Sequence, residues 1–338
     1  MLTSVRALFA EIVDYAGLFP PAQLELEPAF RNFINYRGGA DAWMLGRFVC
    51  PTTKFDGLLK FASELPGQSA PVRIAALGRG GDNAEAFLSG VAADLTAMNV
   101  LAEKSGRRVV ADAFEAKLPA ELVAGRDGKA IRNLLDTVAE RFEAAGFGHA
   151  QRFYEAGLAE PWRDALRAVI AGIARHNHKI MPHFGPEFRV DNSPKQPPDG
   201  LKLRAGGVVT AAFPSTEQVA YAIEQCRDAH VPMKFTAGLH HPLRRFDPGV
   251  RTMMHGFLNV FAAVAFAHAA AFDFHDNLAV IKELDANAFQ FTDEYLSWND
   301  ADASIDEIQY ARRERGLSFG SCSFDEPRED LRAMRLLS

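Results

Sequence analysis

Hydrophobic positions along the chain follow two alternating regimes. Short runs of β-branched and aromatic residues are separated by longer segments whose apolar positions recur every three or four residues, which is the pattern of βα units closing around a mainly parallel sheet. The runs are WMLGRFVC (43 to 50), VRIAAL (72 to 77), RRVVADAF (107 to 114), AQRFYEA (150 to 156), KIMPHF (179 to 184), LKLRAGG (201 to 207) and PMKFTAG (232 to 238), with one late run, either AFQFT (288 to 292) or LSFGSC (317 to 322). Helical patterns span 82 to 105, 127 to 145, 161 to 176 and 215 to 229, the last opening on Pro214 and a Ser215/Thr216 cap signal. Eight strands predict an α/β fold of the (β/α)8, TIM-barrel-like kind.

KIMPHF is the weakest strand, because Pro182 interrupts it and the polar, proline-rich stretch GPEFRVDNSPKQPPDG follows it. Read as a loop, it leaves the barrel with an irregular or missing strand and makes LKLRAGG the fifth. No internal repeat or low-complexity linker divides the chain. Residues 43 to 338 therefore read as one barrel domain, and residues 1 to 42 as an N-terminal helical extension.

Composition narrows the setting. With 48% hydrophobic and 24% charged residues, a disordered or fibrous chain is excluded. The net charge of −6, without a basic block, argues against nucleic acid as a partner. Cys50, Cys226 and Cys322 are far apart and form no CxxC pair, which fits reduced thiols in a cytoplasm. The N-terminus mixes Arg6, Glu11 and Asp14 into its apolar stretch and lacks the layout of a secretion signal. Residues 256 to 274 approach membrane length, but Asn259, His268 and Asp273 interrupt them, so they read as a deeply buried helix with no membrane partner. Any exposed part of that helix would suit the interface of a homo-oligomer.

Period-two alternation turns the barrel into a statement about chemistry. In LKLRAGG the apolar set is Leu201 and Leu203, leaving Lys202 and Arg204 on the other face; in PMKFTAG, Met233, Phe235 and Ala237 leave Lys234, Thr236 and Gly238. If the apolar sets meet the outer helices, two lysines and an arginine point inward near the C-terminal mouth, where barrel enzymes place their sites. Unpaired charge there is costly, so carboxylates or an anionic substrate must answer it; Asp112 and Glu155, at the ends of their runs, are the candidates. The alternative is a structural ion-pair network. A neutral lysine attacks a carbonyl, and crowding by a second cation lowers its pKa toward working pH. The same cations could instead bind a phosphate or carboxylate without a covalent step.

Two inward lysines on adjacent late strands, one of them in Lys234-Phe-Thr236-Ala-Gly238, resemble class I aldolases of the deoxyribose-phosphate aldolase type. That resemblance implies that one lysine forms a Schiff base while the other lowers its pKa, with no cofactor. The Lys, Thr and Gly spacing fits at Lys234, whereas at Lys202 the hydroxyl position is Arg204 and only Gly206 fits. Strand order favours Lys202 as the nucleophile and the local motif favours Lys234. DYAGLFPP (14 to 21), LKLRAGG and TAGLHHPLR (236 to 244) are also similar to segments of a bacterial protein family, a resemblance that implies no activity.

The loop after Gly238 carries His240 and His241, candidates for general acid/base work or metal ligation. His183, Glu187 and His255 could join them in a metal site, but no HExxH anchors one, and His176-Asn177-His178 falls at the opposite end of the barrel. In DYAGLFPP the aromatic residues would cap the barrel floor, or Asp14 and Tyr15 would fold over the mouth as a lid. Three motifs are incomplete. Gly78-Arg79-Gly80-Gly81 lacks the last glycine of GxGxxG, although it could hold a phosphate; Gly316-Leu317-Ser318-Phe319-Gly320 spells GxSxG without a preceding strand or a later histidine; Cys322 has no neighbouring histidine in sequence.

These features predict a lyase of the aldolase kind that acts on a small anionic carbonyl metabolite. Its candidate catalytic residues are Lys234, Lys202, His240, His241, Asp112 and Glu155, with Arg204, Thr236, Gly206, Gly207 and Gly238 as the candidate binding residues. The rivals are a metal-dependent hydrolase or isomerase, and a barrel that only binds a ligand.

Overall fold

The computed structural model describes residues 1–62, 65, 70–158, 160–180 and 196–337. The strands are β1 (Val13–Tyr15), β2 (Leu45–Pro51), β3 (Val72–Leu77), β4 (Val109–Lys117), β5 (Gln151–Glu155), β6 (Gly200–Arg204) and β7 (Met233–Thr236). After them come β8 (Arg245–Asp247), β9 (Thr252–Met254), β10 (Phe289–Phe291), β11 (Tyr295–Trp298), β12 (Ala301–Ser304) and β13 (Gly316–Ser321). Eight of these close a parallel barrel in the order β1-β13-β7-β6-β5-β4-β3-β2; β8 and β9 form an antiparallel pair, and β10 to β12 an antiparallel sheet. The fold is a (β/α)8 barrel.

The strand count of eight is reached by a different route from the one the pattern suggested. The helix Trp162–Ile180 takes the first residues of KIMPHF, and 181 to 184 lie outside the described residues. The late barrel strand is the LSFGSC run, while AFQFT supplies β10 of the separate sheet. The remaining strand, β1, comes from within residues 1 to 42 and pairs in parallel with β13, Val13 opposite Phe319, Asp14 opposite Gly320 and Tyr15 opposite Ser321. The segment read as a helical extension therefore holds two helices, Thr3–Phe9 and Leu26–Arg37, and a barrel strand between them. Three residues are too few for alternation to reveal.

Contacts divide the chain into two compact units, one of Met1–Gly46, Leu203–Asp228 and Pro232–Ser338, the other of Arg47–Lys202 and Ala229–Val231. In the first, the helix Phe257–Ala269 is buried over nearly its whole length. Phe257 stacks on Phe319 with centroids 5.2 Å apart, and Phe261 meets Phe235 edge-on at 5.5 Å. Each such ring contributes about 1.5–3 kcal/mol of apolar burial. The outer faces of β7 and β13 are thereby turned toward this helix, so Lys234 and Ser318, one residue away in the alternation, face inward. Burial within the chain also removes this helix as an exposed oligomer interface. No helix among the described residues is long and apolar enough to cross a membrane.

In the same unit the buried Arg312 ties three backbones together. It donates to the carbonyls of Leu8 at 2.8 Å, Ala10 at 3.2 Å and Gly316, while its guanidinium lies 4.7 Å from the Phe261 ring centroid. Carbonyl groups just before β1 are held to the first residue of β13, which fixes the pairing of the two strands.

In the second unit Phe114 packs edge-on against Phe142 of the helix Gly128–Ala144, centroids 5.0 Å apart, which sets the outer face of β4. Charged groups are also buried here. Arg152 donates to Asp199 at 2.7 Å, and His176 lies between Asp136 at 2.7 Å and Asp199 at 3.3 Å. Lys179 and Arg132 flank Asp136 at 2.9 and 3.2 Å. Burial disfavours a charged imidazole, but the hydrogen bonds and charges of Asp199 and Asp136 outweigh it and raise the pKa of His176.

A histidine whose folded pKa lies above the unfolded one stabilises fully below the unfolded value, near pH 6.5, and that contribution fades as pH rises through the folded value. His176→Gln should therefore cost on the order of 3 kcal/mol at acid pH and progressively less in alkali, because it breaks a buried ion pair. Thermal melts of both proteins across the pH range check this; a difference that grows with pH would refute the assignment.

Candidate active site

In the first unit the alternation of β7 points Lys234 away from the helix and onto Asp14 of β1. Lys234 Nζ is ion-paired with Asp14 Oδ2, and Ser318 Oγ of β13 donates to the same oxygen at 2.7 Å. The three residues are 1%, 0% and 2% exposed, so both charges have left bulk water and must answer each other. Gly46 makes room for the carboxylate, since a Cβ there would collide with Asp14 Oδ1. Asp14 is thus neither a cap nor a lid but an interior residue of β1. The GLSFG motif is β13 itself, and its serine holds Asp14 in place rather than acting in a hydrolase triad.

In the second unit Lys202 of β6 lies 2.9 Å from Glu115 Oε2 of β4 and 3.2 Å from Glu155 Oε2 of β5. Desolvation would lower the lysine pKa, but the two carboxylates prevail and raise it. Cation crowding was expected to depress it; charge pairing has the opposite sign. Glu155 is where the sequence placed it, in register with Lys202. Glu115 was missed. The register of β4 shifts at a bulge, since consecutive Ile74 and Ala75 pair with Ala111 and Ala113, so alternation counted from Val109 gives the wrong face beyond it.

Asp112 is the residue skipped at that bulge. It is bonded to Arg47 of β2 at 2.7 and 3.1 Å and to Arg73 of β3 at 2.7 Å. Burial favours its neutral form, yet the two arginines hold its pKa below the ordinary value. Its partners are these arginines, toward the strand-entry end, which is the structural ion-pair alternative.

At the exit ends of β6 and β7, Ala205 N–H donates to Thr236 O at 2.8 Å. Gly206 and Gly238 lie in close contact: a Cβ on Gly238 would lie 2.7 Å from Gly206 Cα, and Gly238 has φ +74°. These glycines therefore have a packing reason, and a Cβ on Gly207 would likewise lie 2.7 Å from that of Ala212. Arg204 is exposed and donates from Nε to Gly206 O at 2.9 Å. Thr236 pairs in register with Gly320.

Beyond Gly238, His240 Nδ1 lies 3.1 Å from Glu326 Oε2, and His241 Nδ1 lies 2.6 Å from Asp330 Oδ2. Both acids are on the helix Asp325–Ala333. Burial opposes a charge on His240, but its hydrogen bonds to Cys322 and Glu326 raise it to about 10, and His240 lowers Glu326 in return. His255 Nε2 donates to Pro214 O at 2.8 Å, and burial lowers its pKa. His183 and Glu187 lie outside the described residues. Among those described, no group of three His, Cys, Asp or Glu side chains is placed to hold a metal ion.

The loop from Gly78 to Gly81 already holds an anion of its own. Asp94 accepts from the Arg79 N–H at 3.0 Å, from the Arg79 guanidinium and from Thr52 Oγ1 at 2.5 Å. A side-chain carboxylate thus occupies the position considered for a phosphate.

The fold and these interior charges define a parallel barrel with buried lysine–carboxylate pairs. No protein-family model and no curated protein matches the sequence. Solved structures similar to it at low identity include these three. Deoxyribose phosphate aldolase from Aeropyrum pernix, described as tetrameric, is 14% identical over 71% of this chain and 82% of its own, with a TM-score of 0.44. An aldolase named QR15 is 9% identical over 68% and 80%, with a TM-score of 0.41. The Haloferax volcanii malate synthase is 10% identical over 89% and 73%, with a TM-score of 0.40.

Gly46→Ala tests the tightness of the Asp14 site. The new methyl must displace the carboxylate or β2, and the substitution should cost about 1–3 kcal/mol in denaturant unfolding. Gly125→Ala, where a Cβ would meet nothing within 4 Å, is the control and should change little.

Proposed function

We propose that the protein is a lyase of the aldolase kind, making or breaking a carbon–carbon bond beside the carbonyl of a small anionic metabolite without a cofactor. The observation that carries this reading is the inward Lys234 paired with a desolvated Asp14. A desolvated ammonium next to a carboxylate can pass its proton across one hydrogen bond, leaving a neutral amine and a neutral acid. The amine then adds to a carbonyl carbon. Asp14 returns the proton as water leaves, and the resulting iminium accepts the electron pair of the adjacent carbon–carbon bond as that bond breaks. The Asp14 carboxylate meanwhile takes the proton of the hydroxyl that becomes the departing carbonyl and passes it to the enamine carbon. Water restores the lysine at the end of the cycle. Ser318 keeps Asp14 facing the amine throughout.

Two carboxylates keep Lys202 of the second unit protonated, so it is not assigned as the nucleophile. Arg204, exposed at the end of β6, is the natural clamp for the substrate's anionic group.

Incubation with small keto acids and sugar phosphates, followed by borohydride, should add one substrate mass at Lys234, read by peptide mapping. Lys234→Met should lose the adduct, and Lys202→Met should keep it if the protein still folds. An adduct at Lys202 alone, or none in the presence of turnover, would overturn the assignment. Phosphate or a carboxylic acid should raise the melting temperature by mass action, and Arg204→Ala should lose most of that shift.

A further inference from the structure

The chain that leaves β7 lies antiparallel to the chain that enters the helix Phe257–Ala269. Arg245 of β8 pairs with Met254 of β9, and beyond that pair Phe257 N–H donates to His241 O at 2.9 Å and Leu258 N–H to Pro242 O at 2.8 Å. Between these fixed points the register sets Arg244 opposite His255, and the Arg244 N–H donates to Asn259 Oδ1 at 2.8 Å. Gly256 keeps the two segments close, since a Cβ there would lie 2.2 Å from Pro242 O. Opposed residues of an antiparallel pair share one face, so the two side chains are neighbours.

Each of them has one buried nitrogen without a hydrogen-bond partner among the described residues, Nε of Arg244 and Nδ1 of His255. His255 is 2% exposed, and its Nε2 donates to Pro214 O at 2.8 Å. A carbonyl can only accept, so that bond places the imidazole proton on Nε2 and leaves Nδ1 a bare lone pair. Burial lowers the pKa of His255, which keeps the ring neutral. Arg244 can only donate. Burial lowers its pKa as well, and the carboxylate acting on its charge, Glu217, is bonded to Lys282 and to Thr216, each at 3.1 Å. Buried polar atoms are costly to leave unmet, so the pair calls for a group that accepts at Arg244 and donates at His255.

Few small anions do both. A phosphate dianion or a plain carboxylate would accept from Arg244 but turn lone pair against lone pair at His255. A carboxylate with a hydroxyl on the neighbouring carbon meets both demands, its oxygen accepting from Nε while the hydroxyl donates to Nδ1. By the same alternation Phe246 and Met253, opposed in register, share this face, and Phe246 is 56% exposed, which offers a rest for an apolar carbon chain. Arg245 and Arg251, exposed on the same hairpin, favour the approach of an anion. We propose that Arg244 and His255 form a binding site for an α-hydroxy carboxylic acid with an apolar side chain. The site rests on contacts that the lyase reading does not use, and it stands whether or not Lys234 is a nucleophile.

Calorimetric titration with α-hydroxyisocaproate, beside isocaproate and inorganic phosphate, tests the site. The hydroxy acid should bind about tenfold or more tightly than either, because a site built around a hydroxyl rejects the analogue that lacks it. Arg244→Met should abolish most of the binding, and His255→Gln should reduce the hydroxy acid to the affinity of isocaproate. Arg204→Ala and Lys234→Met should bind it like the unaltered protein. If Arg244→Met or His255→Gln does not fold, nitrogen NMR of the unaltered protein decides. The Nδ1 resonance of His255 should move upfield with α-hydroxyisocaproate and stay in place with isocaproate, since only the hydroxyl can donate to it. Equal affinity for the two acids, or an unmoved Nδ1 resonance, would overturn the proposal and leave both nitrogens to solvent. Binding lost in Arg204→Ala but kept in Arg244→Met would overturn it too, by placing the acid at Arg204. The lyase reading fails on a different result, the absence of a borohydride-trapped adduct at Lys234.

Discussion

An ammonium group enclosed by a β-barrel costs several kcal/mol unless a carboxylate shares the enclosure, and in this chain the requirement joins Lys234 to Asp14. Much of the first unit follows from that pair. Asp14 must lie on a strand next to β13, so a three-residue segment near the N-terminus is drawn into the sheet. Ser318 must face inward to hold the carboxylate, so its neighbour Phe319 faces outward and stacks on Phe257. Gly46 must lack a side chain because Asp14 Oδ1 lies where a Cβ would be. The apolar packing outside and the polar pairing inside are two readings of a single alternation.

The second unit answers the same constraint with more charges. Lys202 has two glutamates, Asp112 has two arginines, and His176 has two aspartates. Doubling the partners changes the chemistry available. Lys202 is held protonated by its two glutamates, and the carboxylate beside Lys234 also accepts a hydrogen bond from the Ser318 hydroxyl. Removing one member of a cluster would leave a partly or fully buried charge without its counter-charge.

What the sequence made legible was whatever repeats over five or more residues. The central strands, the buried helix from Phe257 and the inward faces of LKLRAGG and PMKFTAG all follow from periodicity. β1 did not, because VDY is too short to display a period and reads as part of a helical segment. Glu115 did not, because a bulge one turn of the pleat earlier reverses the parity on which the reading depends. His240 and Glu326 could not be joined by any local rule, since each follows a different barrel strand and only the order of β7 and β13 in the sheet brings them together. The signal that could have found Asp14 was chemical: an interior lysine demands a carboxylate, and an aspartate flanked by Val13 and Tyr15 is placed to supply one.

The pairing of Val13 with Phe319 also governs when this barrel can be completed. During synthesis the chain emerges from its N-terminal end, so β1 and the Asp14 carboxylate leave the ribosome long before β13 exists to receive them. β2 through β5 can pair as they appear, each with the strand before it, but the seam of the barrel stays open until the last strand arrives. Until then Lys234 has β7 to stand on without Asp14 locked opposite, and the outward phenylalanines lack Phe319. Closure is therefore a late event spanning most of the chain, with the high loop entropy that such distant contacts carry. A stall before β13 would leave two unpaired strand edges exposed to chaperones and to other nascent chains.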